Sequence, residues 1–542
     1  MKLRQNNIDK LQKKTYDVLI VGGGINGAVC ASALSSQGAS VGLIDKGDFA
    51  NFTSQESSNL VWGGIKYLEG LEFGLVRKLC QSRNHLIRSY PSIVKEIRFF
   101  VNLEKKFRFN RWFLYMGSLL YWFMGNFFTR PPRLLSKKTI NTEEPTVNTG
   151  NSQGGFEYSD AYLVDNDARF VFNFVRESMN HGAIAANYVE ALEAKRTKKG
   201  LWEVKVRDVL SGEEGTIKTR VLLNTCGPFA DGFNATAKIE TEHHHLFSKG
   251  IHLIVEQITE VRKVLTFFAS DGRLFFVIPM GNKSCVGTTD TRVESLPPVV
   301  TDEDREFVLN NINKLLKLEH PLTKDDIIAE RCGVRPLVVE PQTNDDGGDW
   351  TSLSRKHALE VNASQKQITI FGGKLTDCLN IGDEVSDAVQ RLGIHLPYAG
   401  IRWYGEPPDE VRDEFFHQAR LMELDDMTED ASSEPLSTRL WRRYADSALY
   451  LLEEIRQDPS MAEVLIGGTE YIRCEIHHAA RREMITKLED FLRRRSKIAL
   501  IAKTETIANA DGLKEACQIL FGDLAEEKYN EYFETQNQEV VA

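Results

Sequence analysis

Nowhere in these 542 residues do two cysteines form a C-x-x-C pair. The eight cysteines are scattered, which argues against a zinc ribbon, a dithiol redox centre or a disulfide frame. They read as reduced thiols in a cytosolic setting. His243, His244 and His245 are adjacent and point in different directions on any strand or helix, so no metal site is expected from them. Excess positive charge is also missing. The net charge is -10, and a field of that sign does not favour nucleic acid. The basic run Arg493–Arg494–Arg495–Ser496–Lys497 reads as a solvated helix end. The first residues, MKLRQNNIDKLQKK, have no apolar run of the kind a signal peptide needs, so a cytoplasmic location is expected. There is no internal repeat and no low-complexity tract. What remains is an average globular composition, 42% hydrophobic and 27% charged, in a chain long enough for roughly two to four domains.

The most informative stretch is Tyr16–Asp48, YDVLIVGGGINGAVCASALSSQGASVGLIDKGD. Val18–Val21 is a short apolar run, as a buried parallel strand should be. Gly22, Gly24 and Gly27 form G-x-G-x-x-G ahead of an Ala/Leu/Ser-rich helix that ends at Gly38. Gly22 allows a tight turn. Gly24 lets the backbone approach a pyrophosphate at a helix N-terminus, and Gly27 lets helix and strand pack closely. Val41–Ile44 is the second strand and closes on Asp45. That carboxylate lies 18 residues after Gly27, where it can accept hydrogen bonds from the ribose of an adenosine. Strand, turn, helix and acid together point to dinucleotide binding.

Two later segments extend this unit. Val221–Asp231 is an apolar strand ending in a small-residue turn at Gly227. Ile368–Val389 is a strand, a Gly372–Gly373 turn and a helix whose N-terminal N–H groups would stabilise a reduced flavin. The nucleotide domain is therefore expected in three separated pieces. The segments between them, such as Gly250–Gln257 and Arg273–Thr291, are β-rich and suit an antiparallel sheet. Beyond Pro407 and Pro408 the pattern turns helical, with Ile472, Ile476, Ala480, Met484, Leu488 and Phe491 recurring every three to four positions. Trp112–Phe128 is a seventeen-residue stretch with no charge and eight aromatics, flanked by basic residues. As a helix it would be about 26 Å long, short of a ~30 Å hydrocarbon core. A buried or cap helix, an interfacial membrane contact and a true span are the readings it allows, in that order.

Taken together, DVLIVGGGINGA, TSQESSNLVWGGIKYLE, YSDAYLVDNDAR, NTCGPFAD, SKGIHLIV, DGRLFFVIPMGNKSCVGTTDT, GVRPL, SRKHALEV and FGGKLTD resemble the FAD-dependent glycerol-3-phosphate dehydrogenases and oxidases. The likeness runs in the family's order from about residue 15 to 500. It implies an α/β fold: a Rossmann-like FAD-binding domain interleaved with an antiparallel-sheet substrate domain over 15–400, a polar extension over 1–14, and an all-helical C-terminal domain over 405–542. It implies oxidation of sn-glycerol 3-phosphate to dihydroxyacetone phosphate by hydride transfer to FAD. Electrons would then pass to quinone, at the inner face of a membrane, in an enzyme that could be a homodimer. The cofactor contacts it implies include Thr53, Ser54, Gly63, Gly64, Gly227, Gly372, Gly373, Lys374, Leu375 and Thr376. Thr376 reads equally as a helix cap.

By the same resemblance, His252 is the active-site base, Arg335 binds substrate, Lys374 lies near flavin and substrate anion, and Lys66 and Tyr67 face the substrate. An imidazole titrates near neutrality and can take a hydroxyl proton. Lys66, Arg335 and Lys374 converging on one pocket would select a phosphorylated or otherwise anionic substrate. The chain departs from the family pattern before the paired glycines. Lys-Leu-Ile-His is replaced by Asn59, Leu60, Val61 and Trp62, and the loop arginine by Lys66, which keeps the charge but loses the bidentate fork. These changes leave flavin and reaction type intact and keep open a different small anionic hydroxy or amino substrate. A flavin-binding protein without turnover is the third reading, and the retained His252, Arg335 and Lys374 argue against it.

Overall fold

The computed structural model describes residues 2–339, 357–428 and 432–541. The first three residues of the SRKHALEV motif lie outside them. The parallel core grows outward from Thr15–Val21. Val41–Ile44 flanks it on one side and Glu214–Asn224 on the other. Ile184–Ala186 and Gln367–Phe371 extend the two flanks, also in parallel, and Ala358–Asn362 closes one edge antiparallel. Val18, Leu19 and Ile20 are fully buried, which is why this strand reads as a continuous apolar run instead of an alternating one. The helices Ile25–Ser36, Asp167–Asn180 and Cys378–Arg391 pack together over the sheet and bury a core that includes Val29, Leu34, Val171, Val175 and Val385. The three expected pieces do build one nucleotide domain.

The β-rich segments form a second sheet of ten strands. It is antiparallel except where Lys263–Phe268 runs parallel to Val94–Glu104. The long strand His244–Glu256 pairs with Ala329–Val339 over eleven residues. Helix Asp302–Leu315 covers the outer face, capped by a Thr301/Asp304 capping box.

Three expectations change. The polar residues 1–14 are no loose extension. Lys2–Lys13 is a helix docked on the nucleotide domain, with Ile8 and Leu11 buried and Arg4 paired to Asp208 at 2.6 Å. The C-terminal part is helical beyond the two prolines, yet the helix suggested by the 472–491 spacing is broken. Arg473–Arg482 ends before Met484, which takes a left-handed φ of 52°, and a π-helical turn follows at Asp490–Arg495. The apolar spacing still marked inward positions, but not of one core: Ile476, Leu488 and Phe491 share one with half-buried Ala480, while Ile472 and Met484 pack into two others.

The third change is the aromatic segment. Arg111–Met124 is a helix, but the buried or cap reading fails for most of its surface. Ser118, Tyr121 and Met124 face inward, while Trp112, Phe113, Met116, Leu120 and Phe123, with Phe127 just beyond, are 41–61% exposed. Residues spaced this way share one side of a helix. Among the described residues no helix is long and apolar enough to cross a membrane.

The tightest joint in the fold is the glycine turn. A Cβ on Gly27 would stand 1.8 Å from the Gly22 carbonyl oxygen and 2.7 Å from Thr225 Oγ1. Gly27→Ala should therefore cost on the order of 1–3 kcal/mol, seen as a lower midpoint of thermal unfolding. An unchanged midpoint would mean that helix and strand can part at this point.

Candidate active site

The parallel strands end in register. Val21 stands between Ile44 and Asn224, so Gly22, Asp45 and Thr225 leave the sheet along one edge. Ligands of open α/β sheets bind outside this carboxyl edge. A cavity of about 980 Å³ opens there, lined by Gly22, Gly24, Asp45, Thr53, Ser54, Gly227, Gly372 and Gly373 among others. Gly22 has a φ of 106°, and a Cβ on it would meet the Thr225 carbonyl at 2.5 Å. The cavity takes in the first turn of helix Ile25–Ser36, where the Ile25 N–H donates to Ser54 Oγ at 3.0 Å. Asp45 accepts from the N–H groups of Gly23 at 2.6 Å and Gly47 at 2.8 Å. Burial raises its carboxyl pKa, and those two bonds oppose the rise. A glycine-walled cleft, a helix N-terminus and an acid at the second strand fit a dinucleotide. Among the lining residues not singled out in the sequence are Lys46, Phe52 and Phe229. The two rings are 4.8 Å apart, and the Lys46 ammonium lies 3.6 Å from the Phe229 centroid. Only the GPFAD motif hinted at Phe229.

Gly63, Gly64, Lys374, Leu375 and Thr376 do not line this cavity. The paired glycines are accounted for by protein contacts. A Cβ on Gly63 would stand 2.2 Å from the Tyr121 hydroxyl, and one on Gly64 would stand 2.5 Å from the Tyr67 ring. Gly64 also has a φ of 79°. The Gly63 N–H donates to Asp160, whose carboxylate is fully buried against Arg83 and the Tyr121 hydroxyl. The close approach expected of this loop is thus to its own supporting shell. Thr376 is neither cap nor lining residue. Its hydroxyl donates to the Trp62 carbonyl at 3.2 Å and ties the flavin-side turn to the loop.

The proposed chemical residues fall into two groups. Lys374 donates to the Tyr67 hydroxyl at 2.7 Å, across 307 residues of chain. Trp62 flanks that tyrosine, and its indole N–H donates to the Tyr158 hydroxyl at 3.3 Å. Lys66 points away and is solvent-exposed, so it does not join Lys374 as drawn from the sequence. The second group stands on the antiparallel sheet. Ser248, Gly250 and His252 share one face, opposite Arg335, Gly333 and Arg331. Gly250 and Gly287 make room: a Cβ on either would meet Arg335 at 2.4 Å or His252 at 2.7 Å. Arg335 donates to Asp290 at 3.2 Å and to the Thr288 hydroxyl at 3.2 Å.

His252 is buried, and neither ring nitrogen has a hydrogen-bond partner among the described residues. Burial, with help from Arg335 and Arg331, holds its pKa down to about 3. The imidazole is therefore neutral, and burial with the two cations keeps it only weakly basic until negative charge is placed beside it. Arg331, missed in the sequence, is fully buried and reaches Ser57, Asn59 and Asp167. Asn59 itself has a left-handed φ of 58°, which asparagine tolerates, and donates to the Asp165 carbonyl at 2.6 Å. Its departure from the family lysine is met by protein groups. Among the three histidines, His245 is positional: Nδ1 pairs with Asp231, and Nε2 accepts from the Gly372 N–H at 3.1 Å.

The sign of the His252 shift makes a prediction. A folded-state pKa near 3 lies below the ~6.5 of an unfolded histidine. Protons then favour the unfolded chain as pH falls below that value. With ¹⁵N-labelled histidine, the His252 signals should stay neutral from pH 8 to about 5. The thermal midpoint of His252→Asn should fall less than that of the wild type over the same range. Titration of His252 near neutrality would overturn the reading that burial holds this imidazole neutral and weakly basic.

Known proteins agree with this architecture. A family model described as FAD dependent oxidoreductase matches residues 17–349, and one described as the C-terminal domain of alpha-glycerophosphate oxidase matches 404–522. The aerobic glycerol-3-phosphate dehydrogenase of Bacillus subtilis is 32% identical over 71% of this chain and 69% of its own. Glycerol-3-phosphate dehydrogenase 2 of Mycobacterium bovis is 29% identical over 91% of this chain and 82% of its own. The crystal structure of glycerol-3-phosphate dehydrogenase from Bacillus halodurans, complexed with FAD, superposes with a TM-score of 0.72. It covers 99% of this chain and 97% of its own, at 23% identity. The first model spans more than half of the residues, and its match begins within strand Thr15–Val21, at whose end the cavity opens: the chain belongs to the FAD-dependent oxidoreductases, and its cofactor is FAD.

Proposed function

We propose that this enzyme oxidises sn-glycerol 3-phosphate to dihydroxyacetone phosphate and passes the electrons to quinone at a membrane surface. The observation that carries the reading is the neutral, unpartnered imidazole of His252 on the same sheet face as Arg335. Oxidising a secondary alcohol needs a base for the hydroxyl proton and an acceptor for the hydride. Bound FAD supplies the acceptor. His252 takes the proton at a ring nitrogen once an anionic substrate beside Arg335 has offset the burial and positive charge that depress its basicity. Arg335 and Lys374 offer positive charge for the phosphate, and Tyr67, held by Lys374, orients the substrate. Gly22, Gly24, Asp45, Ser54, Gly372 and Gly373 hold the cofactor. A different anionic hydroxy or amino substrate is the second reading, favoured by the outward Lys66 and by Trp62 beside Tyr67.

The membrane assignment rests on the exposed face of Arg111–Met124. Several large apolar side chains on one helix face are far more than a lone exposed leucine. Lys105, Lys106 and Arg111 precede them and Lys137 and Lys138 follow, cations of the sign that anionic headgroups attract, whereas Arg108, Arg130 and Arg133 are paired to Glu69, Glu96 and Glu143.

Two measurements check these assignments. Under anaerobic conditions, glycerol 3-phosphate should bleach the flavin band near ~450 nm. Lys374→Ala should raise KM at least about tenfold, as expected when one charge-assisted contact to an anion is lost. A band that persists would move the substrate to the second reading. In flotation assays with vesicles containing anionic phosphatidylserine, the wild type should float and the Phe113→Glu/Phe123→Glu variant should sink, while both still bleach. Equal flotation of the two would remove the helix from the membrane contact.

A further inference from the structure

The C-terminal domain carries three consecutive arginines that neither the fold nor the chemistry has yet used. The sequence suggested a solvated helix end. The structure instead buries Arg493, Arg494 and Arg495 at 7%, 1% and 2% exposure, on a π-helical turn. Such turns are rare and recur at functional sites. All three side chains leave their own domain and enter the loop that walls the FAD cavity.

Arg494 Nε and both terminal nitrogens of Arg495 donate to Asp48, each at 2.8 Å. Asn187 gives Asp48 a fourth N–H at 2.8 Å. Arg493 donates to the Gln55 carbonyl at 2.9 Å and to Glu56 at 2.8 Å, and Arg494 also reaches the Gln55 side chain. These acceptors bracket the cavity-lining residues Asn51–Ser54 and directly follow Asp45–Gly47. The loop between them is tied to the glycine turn by the Ala50 N–H, which donates to the Gly23 carbonyl at 2.9 Å. On their own side the arginines are braced by Asp490, Glu489 and the Glu483 carbonyl. Asn166 fixes the turn by donating to the carbonyls of Arg493 and Ser496.

A buried ion pair is an expensive way to join two domains, since packed apolar side chains hold equally well. A guanidinium fork differs in that it fixes direction. Here Arg495 grips Asp48 with both terminal nitrogens, while Arg494 and Arg493 reach Gln55 and Glu56, so one loop is held at both ends. We propose that Arg493, Arg494 and Arg495 are positioning residues that hold the loop from Asp45 to Glu56 in its cofactor-binding form. The C-terminal domain thereby governs FAD retention. By linkage, FAD must in turn hold the arginine turn in place. The inference rests on the FAD site described above.

The test measures FAD release from purified holoenzyme, read as the rise of free-flavin fluorescence, at a temperature where circular dichroism shows the fold intact. Arg493→Gln and Arg495→Lys are the test variants. Arg442→Gln is the control: it breaks the Asp165 and Glu434 pairs and touches nothing in the loop. Release should be faster by about tenfold or more in both test variants and close to the wild-type rate in the control. Amide exchange over 486–500 should also speed up when FAD is removed from the wild type. Wild-type release in the test variants would overturn the proposal, as would equal acceleration in all three, which marks general loosening of the interface. A chain that never takes up FAD would sink the cofactor assignment itself, and the clamp with it.

Discussion

Everything in this protein hangs on three parallel strands ending at the same level. Thr15–Val21 lies between Val41–Ile44 and Glu214–Asn224, and the register brings Val21, Ile44 and Asn224 into line. From that line the chain leaves in three turns, at Gly22, Asp45 and Thr225, and the space between the turns is the cofactor cleft. The strand hydrogen bonds set the level, and the missing side chains of Gly22 and Gly27 let the turn and helix close on it. A shift of one residue in any of the three strands would move a turn by about 3.3 Å and close or distort the cleft. The substrate sheet is an attachment to this edge: Thr53 donates to the Val334 carbonyl, and Gly333 leaves room for the main chain of Glu56.

The attachment is made by buried charge. Asp160, Asp165 and Asp167 lie within one short segment and are each at most 7% exposed. Asp160 meets Arg83, Asp165 meets Arg442 and Arg443, and Asp167 meets Arg331. The arginines come from three regions: the helix Phe73–Ser89, the C-terminal domain and the substrate sheet. Removing one partner of such a pair typically costs about 3–5 kcal/mol, because the other is left charged in a dry place. The segment acts as a three-way junction, and its acids decide which elements meet and in which orientation. The nearby Gly63 N–H on Asp160 places the substrate loop within the same junction.

Much of this was legible in the residues, and the limit has a physical form. Gly22, Gly24, Gly27 and Asp45 could be read because turn, helix and strand are contiguous, so their constraints are local. The helical tail could be read from apolar spacing, although Met484 breaks the helix, because spacing reports burial more than continuity. What escaped reading lay across distance. Nothing in the sequence around Tyr67 says that Lys374 will donate to it, or that Tyr121 explains Gly63. Arg331 and the Arg493–Arg495 run look like ordinary surface cations until a carboxylate from a remote segment is placed against them. The aromatic helix escaped for another reason: the stretch is apolar all round, and only the fold decides which side is left outside.

The order of the pieces along the chain has a consequence for how the protein is made. Strand Gln367–Phe371 completes the parallel sheet, and the arginine turn that braces the cofactor loop does not begin until Asp490. A nascent chain emerging N-terminus first exposes the glycine fingerprint early, yet cannot finish the cleft until about nine-tenths of the polypeptide has left the ribosome. The first strand and its helix must wait, with their apolar faces uncovered, for partners several hundred residues away. Such long-range pairing is slow and open to aggregation. Cofactor loading is therefore one of the last events in the making of this chain.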